Sequence, residues 1–315
     1  MKAMVLAAGF GTRLRPATER IPKPLFPVAG TPAIEWVIRA LKTAGAFDVV
    51  VNLHHLPQAI VAALQDGSQL GVRVHYSEEE VILGTGGGIA KARPLLDGAD
   101  FFLHNGDIFT DFDLPALLKA HSDSGASATL ALADATDRPD ARVVEVGPDG
   151  FVVGIRGKPR DQGGPRYVYA GIAVLSPAIF SFLPRAGPSC LVENGLIPML
   201  RAGLRLRAEV FRGLFCDIGT PERYLALQWE VWARREVLFK ARGIPVPSGA
   251  IVDPSARLIQ PLILCQGATI EAEATVGPRV VLCSGARVKK ASRVHDAVLF
   301  PMAQVEGEVT GMCTP

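Results

Sequence analysis

Along residues 1–110, short apolar runs alternate with stretches in which apolar side chains recur every three or four positions. This is the pattern of β-α units wound around a mainly parallel sheet. The runs Ala3–Ala7, Asp48–Asn52, Arg73–Tyr76 and Phe101–Asn105 predict strands. Between them, Pro32–Ala44 carries Ile34, Val37, Ile38 and Leu41, and Pro57–Gln65 carries Ile60, Val61 and Leu64, spacings that predict helices covering the sheet. Ala128–Ala133, Arg142–Val146 and Val168–Leu175 predict further strands that make the sheet mixed at its far side. Pro221–Arg235, with Leu225, Leu227, Trp229 and Val231 among its apolar positions, predicts a last helix.

From about residue 244 the period changes to six. Val246, Val252, Leu258, Leu264, Ile270, Val276, Leu282, Val288, Val294 and Phe300 stand six apart, with small or apolar residues such as Ala250, Ala256, Ala268, Ala274, Val280, Ala286, Ser292 and Val298 two positions earlier. A sustained hexad predicts a left-handed parallel β-helix of about three coils, each flat side taking one hexad and stacking its aliphatic residue on the next coil. The repeat ends at Phe300, so Pro301–Pro315 is expected to be a cap or a loose tail. The fold expected is therefore α/β: a Rossmann-like mixed, mainly parallel sheet flanked by helices in residues 1–240, followed by the β-helix in 241–315.

Composition narrows the function classes. A chain of 315 residues with 49% hydrophobic and 20% charged side chains has an ordinary globular make-up. Its formal net charge of +2, with no long run of Lys and Arg, does not suit a nucleic-acid platform, so any phosphate chemistry must be local. The apolar run at the start is too short for a signal peptide and no stretch is long enough to span a bilayer. The five cysteines, Cys190, Cys216, Cys265, Cys283 and Cys313, are odd in number and form no CxxC pair, which fits reduced thiols in a cytoplasm better than a disulfide frame or a zinc site.

The sharpest chemical signal is Leu6-Ala7-Ala8-Gly9-Phe10-Gly11-Thr12-Arg13-Leu14, followed by Pro22-Lys23-Pro24. Glycines placed directly after a first strand let backbone N–H groups approach a phosphate chain. Arg13 offers a fork suited to pyrophosphate oxygens, and Lys23 a point charge near the α-phosphate. A bare GxG would read as a tight strand-to-helix turn, but the basic residues at this spacing favour the phosphate site.

At these residues the chain resembles the NDP-sugar pyrophosphorylase family of nucleotidyltransferases, whose signature LxxGxGTRLxPLT stands here as LAAGFGTRLRPAT, with Pro22-Lys23-Pro24 as its PKP motif. The resemblance continues through Leu83-Gly84-Thr85-Gly86-Gly87-Gly88, Asn105-Gly106-Asp107, Tyr169-Ala170-Gly171-Ile172 and Asp217-Ile218-Gly219-Thr220-Pro221, over residues 1–235. The TGGGI and NGDIFTDFDL stretches look closest to the N-acetylmuramate-1-phosphate uridylyltransferase branch, whereas an appended β-helix is similar to that of mannose-1-phosphate guanylyltransferases.

The resemblance implies an enzyme that takes a nucleoside triphosphate and a sugar 1-phosphate, releases diphosphate and uses Mg²⁺. Asp107 and Asp217 match the carboxylates that hold the ion, a hard cation that offsets repulsion between two anionic reactants. Arg13 and Lys23 match the catalytic basic residues; Leu6, Ala7, Ala8, Gly9, Gly11, Thr12, Glu79, Gly84, Thr85 and Gly86 match nucleotide contacts. Glu79, five residues before Gly84, sits where uracil- and thymine-using relatives often carry glutamine; an acceptor-only carboxylate serves guanine N–H donors or the single N3–H of uracil. Asn105, Lys158 and Gly171 match the sugar-phosphate side, although Gly157 replaces the acid of the family's EKP motif and leaves the sugar open.

UTP or GTP, with N-acetylmuramate or mannose 1-phosphate, are the first candidate substrates, and the flat faces of the β-helix suit a homo-oligomer. A non-catalytic nucleotide-sugar-binding scaffold of the same fold is the competing reading, disfavoured by the joint presence of Arg13, Lys23, Asp107 and Asp217. An acyltransferase acting through the β-helix is weaker, because His295 is that region's single histidine. His54, His55 and His104 lack partners at metal spacing, and Cys216 reads as a small buried hydrophobe.

Overall fold

A computed structural model describes residues 1–134, 143–155 and 166–315. By internal contacts the chain divides into two units, one of Met1–Gly9 and Val37–Phe215, the other of Phe10–Trp36 and Cys216–Pro315.

The first unit is built on a mixed sheet. Strands β1 (Lys2–Leu6), β2 (Asp48–Leu53), β3 (Arg73–Glu78) and β4 (Phe101–Asn105) run parallel in the order β4-β1-β2-β3. Beyond β4 come β5 (Ala128–Asp134), β6 (Val143–Val146), β7 (Val152–Ile155), β8 (Arg166–Leu175) and β9 (Leu206–Phe211). The long strand β8 is antiparallel to β4, β5 and β6, while β9 returns parallel to β5. The predicted strands all appear, with the first residue of Arg142–Val146 outside the described residues. Their runs are continuously apolar, as strands covered on both faces require: Ala3, Met4 and Val5 are fully buried, as are Phe101, Phe102 and Leu103.

Two covering helices also stand where the spacing put them. Helix α1 (Ala33–Thr43) buries Ile34, Val37, Ile38 and Leu41, and α2 (Pro57–Leu64) buries Ile60 and Leu64. Helix α3 (Gly84–Lys91) was not expected, because four glycines in eight residues oppose a helix. It forms because the orphan N–H groups of its first turn find a partner from far along the chain: the carbonyl of Ser189 accepts from Gly86 (2.9 Å) and Gly87 (3.4 Å). Helix α4 (Leu114–Ser124) starts at Asp113, whose carboxylate accepts from the Ala116 N–H at 3.0 Å.

The second unit holds helices α5 (Pro221–Ala233) and α6 (Arg235–Arg242) and a parallel β-helix. Thr220 caps α5 through its hydroxyl, with Pro221 at the first helical position. On one face of the β-helix the rungs Ile251–Val252, Thr269–Ile270, Arg287–Val288 and Gln304–Val305 stack in parallel, one rung more than expected. Residues 301–315 are therefore not a loose tail: Gln304–Val305 and Glu308–Cys313 form the last coil.

The hexad also breaks earlier than its spacing implied. Val276 pairs with Val294, but Val280 pairs with Ala297, because two residues turn the corner after Val294 where three turn it after Val276. Asp296, in that shortened corner, takes a left-handed φ of 48°. The slip sends Ala297 and Leu299 into the stacked core in place of Val298 and Phe300. Phe300 instead meets Phe26, with ring centroids 5.0 Å apart, and Tyr224 at 6.0 Å. No helix among the described residues is long and apolar enough to cross a membrane.

Candidate active site

In the first unit, the candidate residues collect at the C-terminal ends of the parallel strands, the end at which open α/β sheets receive ligands. Leu6 ends β1 between Asn52 of β2 and Asn105 of β4. Ala7 and Ala8 are buried and Gly9 is exposed. Gly106 closes on β1, its N–H donating to the Leu6 carbonyl at 2.8 Å, and Asp107 follows it, half-buried. Asn105 and Gly171 come together: β8 bulges between Tyr169 and Ala173, and a β-carbon on Gly171 would stand 2.5 Å from the Asn105 amide nitrogen. The packing role of Gly171 is thus filled by Asn105 itself.

The second candidate segment of this unit is tied to the rest of the protein by several backbone contacts. Leu83 accepts from the Ser189 N–H at 2.9 Å, Thr85 Oγ1 accepts from the Leu191 N–H at 2.9 Å, and Gly84 has a φ of +69°. β-carbons on Gly84, Gly86 and Gly87 would each stand 2.7 Å from an oxygen of the Gly187–Ser189 stretch. Glu79 is in place but turned inward. It is 4% exposed, and its two carboxylate oxygens accept from Asn52 Nδ2 at 2.7 Å and from the Leu83 N–H at 2.8 Å.

The second unit carries the basic residues. Gly11, at φ +63°, opens a short 3-10 turn over Thr12–Leu14 that leaves Thr12 and Arg13 exposed. Only glycine takes that turn without strain, and a β-carbon there would also stand 2.8 Å from Thr18 and 3.3 Å from Lys23 Cβ. The Thr18 hydroxyl donates to the Gly11 carbonyl at 3.1 Å. Lys23, between Pro22 and Pro24, is 9% exposed at the start of another 3-10 turn. Arg13 and Asp217 converge on Gly219: a β-carbon on that residue would stand 3.2 Å from Arg13 Nη2 and 3.2 Å from Asp217 Oδ2. Arg223 donates to the other oxygen of Asp217 at 2.7 Å.

Sequence reasoning passed over Asn52, Ser189 and Arg223. Asn52 and Arg223 each had a signal, being a polar residue at the end of a predicted buried strand and a basic residue one turn into a helix that starts beside a candidate carboxylate. Ser189 had none, since its part is played by its backbone. Lys158 lies outside the described residues.

Among the described residues, no three His, Cys, Asp or Glu side chains gather into a metal-holding group.

Comparison with known proteins gives the family. The family model described as nucleotidyl transferase matches residues 2–232. The N-acetylmuramate alpha-1-phosphate uridylyltransferase of Neisseria meningitidis serogroup B is 37% identical over 226 residues, covering 70% of this chain and 94% of that protein. A probable mannose-1-phosphate guanylyltransferase of Oryza sativa subsp. japonica is 33% identical over 267 residues, covering 82% of this chain and 73% of the relative. Among solved structures, a putative glucose-1-phosphate thymidylyltransferase from Bacillus anthracis superimposes with a TM-score of 0.63 at 21% identity, over 79% of this chain and 98% of that one, a likeness of fold.

Proposed function

Since the chain belongs to the nucleotidyl transferase family of sugar-phosphate uridylyl- and guanylyltransferases, we propose that it joins UTP or GTP to a hexose or amino-sugar 1-phosphate and releases diphosphate. N-Acetylmuramate 1-phosphate and mannose 1-phosphate are the first candidates, from the names of its relatives. The observation that carries the reading is the convergence of Arg13 and Asp217 on Gly219, with Gly11 and Lys23 packed together in the same unit. Arg13 and Asp217 thus pack against the same buried glycine, and the Lys23 side chain packs against Gly11.

In the proposed reaction a phosphate oxygen of the sugar attacks the α-phosphorus of the triphosphate, and the bond to diphosphate breaks. Charge stabilisation and positioning supply the rate, with no covalent intermediate on the protein. Arg13 holds the departing diphosphate and Lys23 the α-phosphate, while Lys158 takes the acceptor phosphate. Asn105 and Gly171 support the sugar side. Asp107 and Asp217 would hold Mg²⁺, which supplies positive charge to offset the repulsion between the two anionic substrates.

The backbone of Leu6–Gly9, Gly11 and Thr12 and the segment Gly84–Gly86 receive the nucleotide. We place the reaction in the cytoplasm and expect copies of the chain to associate. Ile251, 65% exposed, and Leu258, 40% exposed, support association, since both lie on the first rungs of the β-helix.

The test is diphosphate release with Mg²⁺ across UTP, GTP, dTTP, CTP and ATP, each paired with glucose, mannose, N-acetylglucosamine and N-acetylmuramate 1-phosphates. One productive pair is expected. Silence across the matrix with nucleotide binding intact would favour the non-catalytic scaffold.

A further inference from the structure

One chain of buried polar groups joins the two nucleotide-facing segments of the first unit. The Ala7 N–H donates to Asn52 Oδ1 at 2.7 Å, Asn52 Nδ2 donates to Glu79 Oε1 at 2.7 Å, and the Leu83 N–H donates to Glu79 Oε2 at 2.8 Å. Ala7 and Asn52 are each 2% exposed and Glu79 4%, so the two bonds of Asn52 are shielded from water, and the Leu83 link is part-buried. The ends of the chain are the residue after β1 and the residue before Gly84. Between them the direction of donation is fixed. Reversing the Asn52 amide would set its NH₂ against the Ala7 N–H and its oxygen against the carboxylate.

The surrounding backbone is shaped for this connection. A β-carbon on Gly88 would stand 2.8 Å from both Asn52 Nδ2 and Glu79 Oε1, so the third glycine of the run leaves room for the bridge. The Glu79 N–H donates to the Leu53 carbonyl at 2.7 Å, which ties the carboxylate's own backbone to β2.

We propose that Asn52 and Glu79 are positioning residues, a relay that locks the Leu6–Gly9 segment to the start of the Gly84–Gly88 segment, and that Glu79 does not read the nucleobase. The inference rests on the proposed nucleotide-binding role of both segments. Placed this way, the relay sets the spacing between the backbone that receives phosphate and the backbone that receives the base. At 4% exposure, with each oxygen already accepting from protein, the carboxylate is held away from an incoming guanine or uracil. Selection among bases then falls to the backbone that the relay positions.

The pattern of donors allows a reversal test. Asn52→Asp sets two carboxylates against each other, and Glu79→Gln sets an NH₂ against either the Asn52 NH₂ or the Leu83 N–H. The double variant restores every link with the middle bond reversed. The introduced carboxylate at position 52 accepts from Ala7 and from the introduced amide at position 79, whose oxygen accepts from Leu83. Each single variant should raise the KM for the nucleotide by about tenfold or more, kcat should change far less, and the double variant should return to within a few-fold of the parent. Hydrogen–deuterium exchange in the full chain without substrate should show Ala7 and Leu83 losing protection in each single variant and regaining it in the double.

Two results overturn the relay. One is a double variant no better than the worse single, whether the loss shows in affinity, protection or folding. The other is a Glu79→Gln protein that changes preference between UTP and GTP while Leu83 keeps its protection, which would return Glu79 to the base. The exchange arm needs no turnover. A parent protein inactive with every substrate pair would therefore sink the proposed function and leave the relay to be judged by protection.

Discussion

Two glycine-bearing segments drew attention in the sequence for one reason, that glycine lets a ligand approach backbone, and the structure uses them differently. Around Gly11 the glycine serves a left-handed turn at φ +63° that leaves Thr12 and Arg13 exposed. Along Gly84–Gly88 the space over the glycines is filled by the protein, chiefly the Gly187–Ser189 stretch and the Asn52–Glu79 pair. One segment leaves the side chains of Thr12 and Arg13 exposed; the other is built to hold a helix start in place. The teaching is that a missing β-carbon marks close approach, and only the neighbours tell whether ligand or protein does the approaching.

The largest effects expected from substitution separate the two segments by kind of loss. Arg13→Ala and Lys23→Ala should each lower kcat/KM for diphosphate release by roughly 10²–10³-fold, the usual loss when one charge-stabilising donor is removed. The melting temperature of Arg13→Ala should stay within a degree or two, because the side chain is exposed. Gly84→Ala should do the reverse in stability. Its β-carbon would meet the Ser189 carbonyl oxygen at 2.7 Å from a backbone φ of +69°. About 2–4 kcal/mol is expected from left-handed strain and backbone contact together, seen as a fall of several degrees in thermal melting. An Arg13→Ala protein that lost stability but not activity, or a Gly84→Ala protein unchanged in melting, would erase the contrast.

How far this was legible follows the same line. Elements carried by a repeating pattern could be read: the strands from Lys2–Leu6 to Phe101–Asn105, helix α1 through Ile34, Val37, Ile38 and Leu41, and the coils through Ile270, Val276, Leu282, Val288 and Val294. Elements created by tertiary partners could not. Helix α3 contradicts its own propensities and stands because the Ser189 carbonyl, about a hundred residues away in sequence, caps it. The hexad was followed to Phe300 because Val298 and Phe300 are themselves apolar. Nothing in an apolar period distinguishes the inner face from an outward aromatic cluster after a one-residue slip. Within the candidate site, sequence singles out positions but not what their side chains engage. Glu79 was singled out by position, whereas the inward turn of its carboxylate depends on Asn52 and Leu83.

A smaller effect is expected where the glycine run ends. Gly88→Ala pushes on side chains rather than backbone, Asn52 Nδ2 and Glu79 Oε1, which have limited room to give because both residues are buried. A loss of about 1–2 kcal/mol is expected, less than for Gly84→Ala, together with a rise of a few-fold in nucleotide KM if the relay sets loop spacing. Unfolding by denaturant and steady-state kinetics on the same preparation check both parts.

Gly9→Ala should have the smallest effect on stability and is the cleanest probe of ligand approach. Gly9 is exposed, keeps an ordinary φ, and a β-carbon there would meet no protein atom within 4 Å. Folding stability should therefore change by no more than about 0.5 kcal/mol, the range of unencumbered surface substitutions. Any larger change in nucleotide affinity must then come from the ligand. If the segment from Leu6 to Thr12 receives the phosphate chain against bare backbone, one added methyl group raises the nucleotide KM while melting is unaltered. If affinity and stability are both untouched, the phosphate chain does not pass over Gly9, and the open segment narrows to Gly11, Thr12 and the side chains of Arg13 and Lys23.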